Sequence, residues 1–320
     1  MSNIASFYYI PPRTLQIHYK ERISGYRDWE QLAHANKYIF FPENVTEFIS
    51  IDEVCLSKGE LYTIVTNKKT GNKNKGSLIA IINGTEAKTI IEVLEKIALE
   101  LRMKVTEVTL DMARNMSLAV KTCFPNAKLV IDRFHVVKLV IDAMQHLRVK
   151  YRWNVIKAEN KAIKKAKEKG EKYRPTELSN GDTLKELLAR SRFLFYKFKE
   201  DWTASQAKRA TLLFNKYPKL KEAYSLVCSF RSIYKAVNKE DARDQFIKWK
   251  KKVIESKIEE FNICMNSLDY HLGNILNYFL HKNTNANAES FNSKIKGFRA
   301  DVRGVVDVKF FLFRLEKLFA

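Results

Sequence analysis

Between residues 46 and 135 the spacing of apolar residues passes from two to 3.6 and back, twice over, and nothing else in the chain restricts the fold as much. "TEFISIDEVCL" (46–56) is rich in β-branched residues and reads as a strand; "SKGE" turns it and "LYTIVTN" (61–67) returns it. "KKTGNKNKG" (68–76) is a basic hairpin loop ahead of a third strand, "SLIAIINGT" (77–85). Two consecutive hairpins predict three antiparallel strands. "EAKTIIEVLEKIALELRM" (86–103) then repeats apolar residues at helical spacing, and "KVTEVTLDM", "ARNMSLAVKTCF" and "AKLVIDRFH" read as strand, helix and strand. Strands joined through helices pair in parallel. The expected class is therefore α/β, a mixed sheet of three antiparallel strands followed by two parallel ones, in the order β-β-β-α-β-α-β.

After residue 135 the strand period does not return. Residues 136–280 read as a large all-α insertion, with helical segments around 183–199, 203–215, 219–236 and 240–280. The resulting organisation is an N-terminal appendage (1–45), the first part of the core (46–135), the insertion (136–280) and C-terminal helices that complete the core (281–320). Within the appendage "YRDWEQLAHANKYI" is weakly helical and "FFPEN" breaks before the first strand.

Composition narrows the function. A hydrophobic fraction of 46% belongs to a folded protein, while 57 Lys and Arg against 36 Asp and Glu leave a charge of +21. That surplus favours a polyanionic partner, with counterion release supplying much of the affinity. No stretch approaches the roughly 18–20 apolar residues of a membrane span, and the start lacks the basic and apolar regions of a signal peptide, so a cytoplasmic protein is expected. Cys55, Cys123, Cys228 and Cys264 form no CxxC pair and read as reduced thiols, not a zinc ribbon.

Two acids stand where an α/β sheet usually places its ligands, beyond the carboxyl ends of parallel strands. Asp111 ends the fourth strand, and Asp52 holds a similar position in the first. Paired carboxylates repel, and burying them is costly unless a cation compensates. Mg²⁺ suits such oxygen ligands, and two ions can assist an in-line phosphoryl displacement. A strand-end Asp also serves as a turn former or helix cap. A third ligand would come from Glu289 in "NTNANAESFN", which lies off the Phe291/Ile295/Phe298 stripe; the alternative is a first-turn acid complementing the helix dipole. Asp132 and His135 in "VIDRFHVVKL" form an acid–imidazole constellation able to orient a ligand or phosphate, or simply to join strand to helix; Asp132 also competes with Asp111.

Eleven Lys or Arg and three Glu lie between Arg148 and Arg174. Lys157, Lys161, Lys164 and Lys165 recur on successive turns with few acidic partners, as a phosphate-tracking face would. A solvated helix face is the bland alternative. Lys68, Lys69, Lys73 and Lys75 of the hairpin loop are second candidates for DNA contact. Trp153 and Trp202 could stack on unpaired bases, or belong to the core.

"SIDEV", "EVTLDMARNM", "CFPNAKLVIDRFHVVKL", "TNANAESFNSKIKGFRADVRG" and "FFLFRL", in this order from about residue 30 onward, resemble the catalytic domain of bacterial insertion-sequence transposases of the ISL-three type. The resemblance implies a DDE transposase with an RNase H-like core interrupted by a helical insertion. It implies Asp52, Asp111 and Glu289 as a metal-binding triad for two Mg²⁺ (or Mn²⁺) ions. Asp132 and His135 fall on that family's acid-x-x-His signature. Its chemistry would be cleavage of DNA at the element ends and transfer of the freed 3′-hydroxyl into target DNA, without a covalent enzyme intermediate. Positioning and charge neutralisation would dominate. Element ends and target DNA are the implied partners, with a homo-oligomer at the bacterial nucleoid. Full-length relatives usually carry an N-terminal zinc-binding segment and a helix-turn-helix; here about 45 residues without paired cysteines precede the first strand, so end recognition is expected either from a separate polypeptide or from residues 1–45 and the insertion. An RNase H-like nuclease or resolvase without strand transfer, and a non-catalytic basic DNA-binding protein, are the competing readings.

Overall fold

A computed structural model describes residues 2–57, 59–68, 76–282 and 286–320, with backbone alone for residues 2, 3, 57 and 286–289. Two compact units result: Met1–Asp132 together with Asn283–Ala320, and Arg133–Lys282. The strands are β1 (Tyr38–Phe40), β2 (Phe48–Ser57), β3 (Glu60–Asn67), β4 (Leu78–Asn83), β5 (Glu107–Leu110) and β6 (Lys128–Ile131). The helices used below are α1 (Ala87–Leu94), α2 (Leu99–Lys104), α3 (Arg114–Cys123), α4 (Arg133–Glu168), α5 (Leu184–Arg190), α6 (Ala204–Lys216), α7 (Pro218–Ile233), α8 (Lys239–Ser256), α9 (Glu259–Tyr270), α10 (Ala286–Asp301) and α11 (Val308–Phe319).

In the first unit the strands form one sheet in the order β1-β4-β3-β2-β5-β6. As the hairpins predict, β2, β3 and β4 are antiparallel, and β5 and β6 extend the sheet in parallel from β2. Strand alternation divides the core in two. Ile49, Ile51, Val108 and Leu110 face one side, under Ile90 and Leu94 of α1 and Met116 and Val120 of α3. Val54, Leu56 and Ile64 face the other, under Phe291 and Ile295 of α10 and Leu312 and Leu315 of α11. At about 0.8 kcal/mol per buried CH₂, these two apolar layers supply the dominant stabilisation.

Three details depart from the sequence expectation. The edge strand β1 comes from the segment read as an appendage: Ile39 pairs with Ile81, and Tyr26, Trp29 and Ala35 join the α10/α11 core. Residues 27–37, read as weakly helical, form turns ahead of that strand. The helix expected over 86–103 is two helices, because the chain extends at Ala98 (ψ 138°). The Arg102 guanidinium satisfies the carbonyl released there, that of Ile97 (3.0 Å), and also reaches that of Cys123 (3.1 Å).

The second unit is helical apart from one isolated bridge, Glu177–Thr183. Its spine, α4, has 36 residues and so runs about 54 Å. Val136, Val140, Met144 and Leu147 bury its first half, against which α5, α7 and α9 pack. Capping boxes at Thr183/Glu186 and Thr203/Gln206 start α5 and α6, and the Asn238 side chain caps α8. Asp182, 1% exposed, accepts hydrogen bonds from Arg190, Arg209 and Asn180 and ties the start of α5 to α6. No helix among the described residues is long and apolar enough to cross a membrane.

Candidate active site

The site begins with strand register. Ser50 on β2 pairs in parallel with Thr109 on β5; two residues further along, Asp52 comes level with Asp111, just past the end of β5. On the far side of β5, Leu110 pairs with Ile131, and the Asp132 amide donates to the Leu110 carbonyl (2.8 Å). Strands β2, β5 and β6 all run the same way, so Asp111 and Asp132 stand just past the ends of β5 and β6, roughly 4.8 Å apart per strand, beside Asp52 in the middle of the longer β2. This adjacency favours Asp111 over Asp132 as the partner of Asp52, with Asp132 one strand further away.

Asp52 occupies the α10 face of β2, between Ser50 and Val54. Both of its carboxylate oxygens accept hydrogen bonds: Oδ1 from the Glu53 amide (2.8 Å) and Oδ2 from the Asn292 side chain on α10 (2.6 Å). Asn292 is itself only 8% exposed. Further along, Arg299 donates to the Cys55 carbonyl (3.0 Å). Seven helical residues advance about 10.5 Å and three strand residues about 10 Å, so these two contacts lay α10 along β2 in the same direction. Asp111 Oδ1 accepts from the Ala113 amide (2.7 Å), the turn-forming role that accompanies a strand-end Asp before a helix.

The local field is negative. Burial, then the carboxylate of Asp111, then that of Asp52, push the Glu53 carboxyl above its ordinary value. Carboxylate oxygens are the donors that a hard divalent cation takes. Among the described residues no three His, Cys, Asp or Glu side chains form a metal group. The side chain of Glu289 lies outside the described residues, although its position falls in α10, one turn before Asn292. His135 stands in the first turn of α4, at the start of the second unit.

The basic candidates separate. Lys157, Lys161, Lys164 and Lys165 are all exposed on the second half of α4, and Glu159 between them is taken by Lys185 (2.7 Å). Trp153, one turn before Lys157, is exposed, whereas Trp202 donates to the Leu194 carbonyl and packs on Phe214 and Tyr224. Lys68 is a correction. Its side chain is 6% exposed and is bound to Glu107 (3.1 Å), itself 4% exposed, and to the Thr109 hydroxyl. It is an internal counterion for a buried carboxylate, out of reach of a phosphate backbone. Lys69, Lys73 and Lys75 lie outside the described residues. The four cysteines are free thiols; burial lifts Cys123 to about 11 and Cys264 to about 12, which suits inert packing.

Sequence reasoning had no signal for Asn292: an Asn within a helix is unremarkable until the strand it touches is known.

A sheet carrying level acids on adjacent parallel strands, with a basic helical unit inserted after β6, accords with the comparisons. The ISL3 family of transposases matches residues 49–315, and the chain belongs to that family. It is similar to the transposase of insertion sequence element IS1001 from Bordetella parapertussis, 22% identical over 273 residues, or 85% of this chain. The aligned part spans 61% of that relative's length. No solved structure matches the chain.

Proposed function

We propose that the chain is the catalytic part of a DDE transposase, with an RNase H-like core that cuts DNA at the ends of an insertion sequence and joins those ends to target DNA. The observation that carries this reading is the level placement of Asp52 and Asp111 on adjacent parallel strands, with α10 pinned to Asp52. Asp52, Asp111 and Glu289 would hold Mg²⁺ or Mn²⁺, which when bound activates the attacking hydroxyl and stabilises the leaving oxygen.

The chain's own groups do the rest. Hydrogen bonds from the Glu53 amide and Asn292 fix the plane of the Asp52 carboxylate, and the Ala113 amide fixes Asp111, so little reorganisation accompanies reaction. Asp132 and His135 are proposed accessory groups able to orient the scissile phosphate. Lys157, Lys161, Lys164 and Lys165, with Trp153, offer a charged and aromatic track for the DNA backbone and an unpaired base. Lys69, Lys73 and Lys75 remain second candidates for the same role. A second copy and a separate end-recognition protein are further proposed partners.

The test is strand cleavage and joining with purified protein, pre-cut and uncut element ends, and Mg²⁺ or Mn²⁺. Asp52→Asn, Asp111→Asn and Glu289→Gln should each abolish both steps while DNA binding persists. Cleavage retained by any variant removes that residue from the triad. Cleavage without joined product by the wild-type chain replaces the transposase with a nuclease.

A further inference from the structure

We propose that Asn292 is a positioning residue for Asp52, one that sets how readily the acid pair accepts a divalent cation; this rests on the reading of Asp52 as a ligand. Asp52 Oδ1 accepts from the Glu53 amide and Oδ2 from the Asn292 side chain. The backbone amide of Glu53 comes from the same strand, whereas Asn292 reaches Oδ2 from a helix 240 residues further along the chain. Asn292 is buried and flanked in sequence by Phe291, 2% exposed and packed in the sheet's core, so its amide is held where it lies. An unrestrained carboxylate samples rotations about χ2, a broad torsion, and must be ordered at a cost when a cation binds. Asn292 removes that freedom beforehand, and being neutral it does not compete with the cation's charge as an Arg or Lys would.

The same contact does a second thing. With Arg299 it clamps α10 along β2 at two points, and position 289 lies one turn, about 4.5 Å, before Asn292. The register of α10 on β2, and so the distance of position 289 from Asp52, is set at Asn292. One side chain thus orients the first proposed ligand and indexes the helix that carries the third.

Calorimetry with Mn²⁺ alone, on the full chain without DNA, tests this. Asn292→Ala and the size-matched Asn292→Leu should bind Mn²⁺ more weakly, on the order of 10–100-fold, the usual effect of losing a group that orients a metal ligand. Their metal-free melting should stay close to wild type, so that only the melting increment added by saturating Mn²⁺ shrinks. Wild-type Mn²⁺ affinity in either folded variant, while Asp52→Asn loses binding, overturns the positioning role and leaves the triad intact. Wild-type affinity in Asp52→Asn overturns the triad reading and this proposal with it. Failure of both Asn292 variants to fold marks the side chain as structural and also overturns the proposal.

Discussion

Removing one partner of the Lys68–Glu107 pair should destabilise the sheet unit far more than removing both. Both side chains are almost fully buried and their charged atoms are 3.1 Å apart. Lys68→Met takes from the buried Glu107 carboxylate the ammonium 3.1 Å away, and Glu107→Gln leaves an ammonium whose proton is already disfavoured. Breaking a buried pair from one side costs about 3–5 kcal/mol, whereas replacing both partners with apolar residues is close to neutral or stabilising. For a unit of this size each kcal/mol moves the melting temperature by about 2–4 °C, so each single variant should melt roughly 6–20 °C lower. The double variant Lys68→Met/Glu107→Leu should recover most of that loss. Circular dichroism melts of the four proteins close the cycle. Single variants within about 2 °C of wild type, or a double variant as unstable as the singles, would refute the claim that this is a compensated buried pair. Its pH signature follows from the direction of the Lys68 shift: burial lowers its pKa from 10.5 despite Glu107 and Asp132. In the window between the depressed folded value and 10.5 the unfolded chain binds the extra proton, so stability rises with pH there. Wild type should therefore gain stability relative to Lys68→Met on alkaline titration.

Neutralising Lys157, Lys161, Lys164 and Lys165 together should weaken DNA binding for every sequence alike and reduce the slope of log K against log salt by about 0.9 per lost phosphate contact; an unchanged slope rules out the α4 track. In the helical unit, Asp182→Asn should cost about 1.5–3 kcal/mol, read from urea unfolding, because charge-assisted hydrogen bonds from Arg190 and Arg209 are lost. Burial pushes the Asp182 carboxyl up, but Arg209, Arg190 and Asn180 outweigh it and hold it below 3.8. Its contribution should therefore be complete above pH 3.8 and disappear as pH falls through the lower folded value, a difference absent from Asp182→Asn.

Strand and helix were legible in the sequence because their signals are local. The side chains that define a strand or a helical face lie two to four residues apart, and their spacing survives without knowledge of what they pack against. For the same reason Asp111 could be placed at the end of its strand, and "VTLD" pointed to a site before any register was known; Asp52, expected near the end of its own strand, lies within β2, which runs on to Ser57. The long basic run of α4 needed only charge and period. The short strand β1 carried too few residues to show a period, and its place was decided by Ile81 on β4, a partner 42 positions from Ile39.

What the chain order could not express is which groups meet. Lys68 read as one more lysine of a basic loop; burial against Glu107, 39 residues away, made it an internal counterion. Asn292 read as a helix interior; only the packing of α10 on β2 brings its amide to Asp52, 240 residues back. Period and composition determined most of the strands and the run of helices after residue 135 by themselves, since each depends on near neighbours in the chain. Tertiary structure alone decided register, burial and side-chain partnership, because the free energy of a charge or a hydrogen bond depends on what surrounds it in space, which sequence distance does not record.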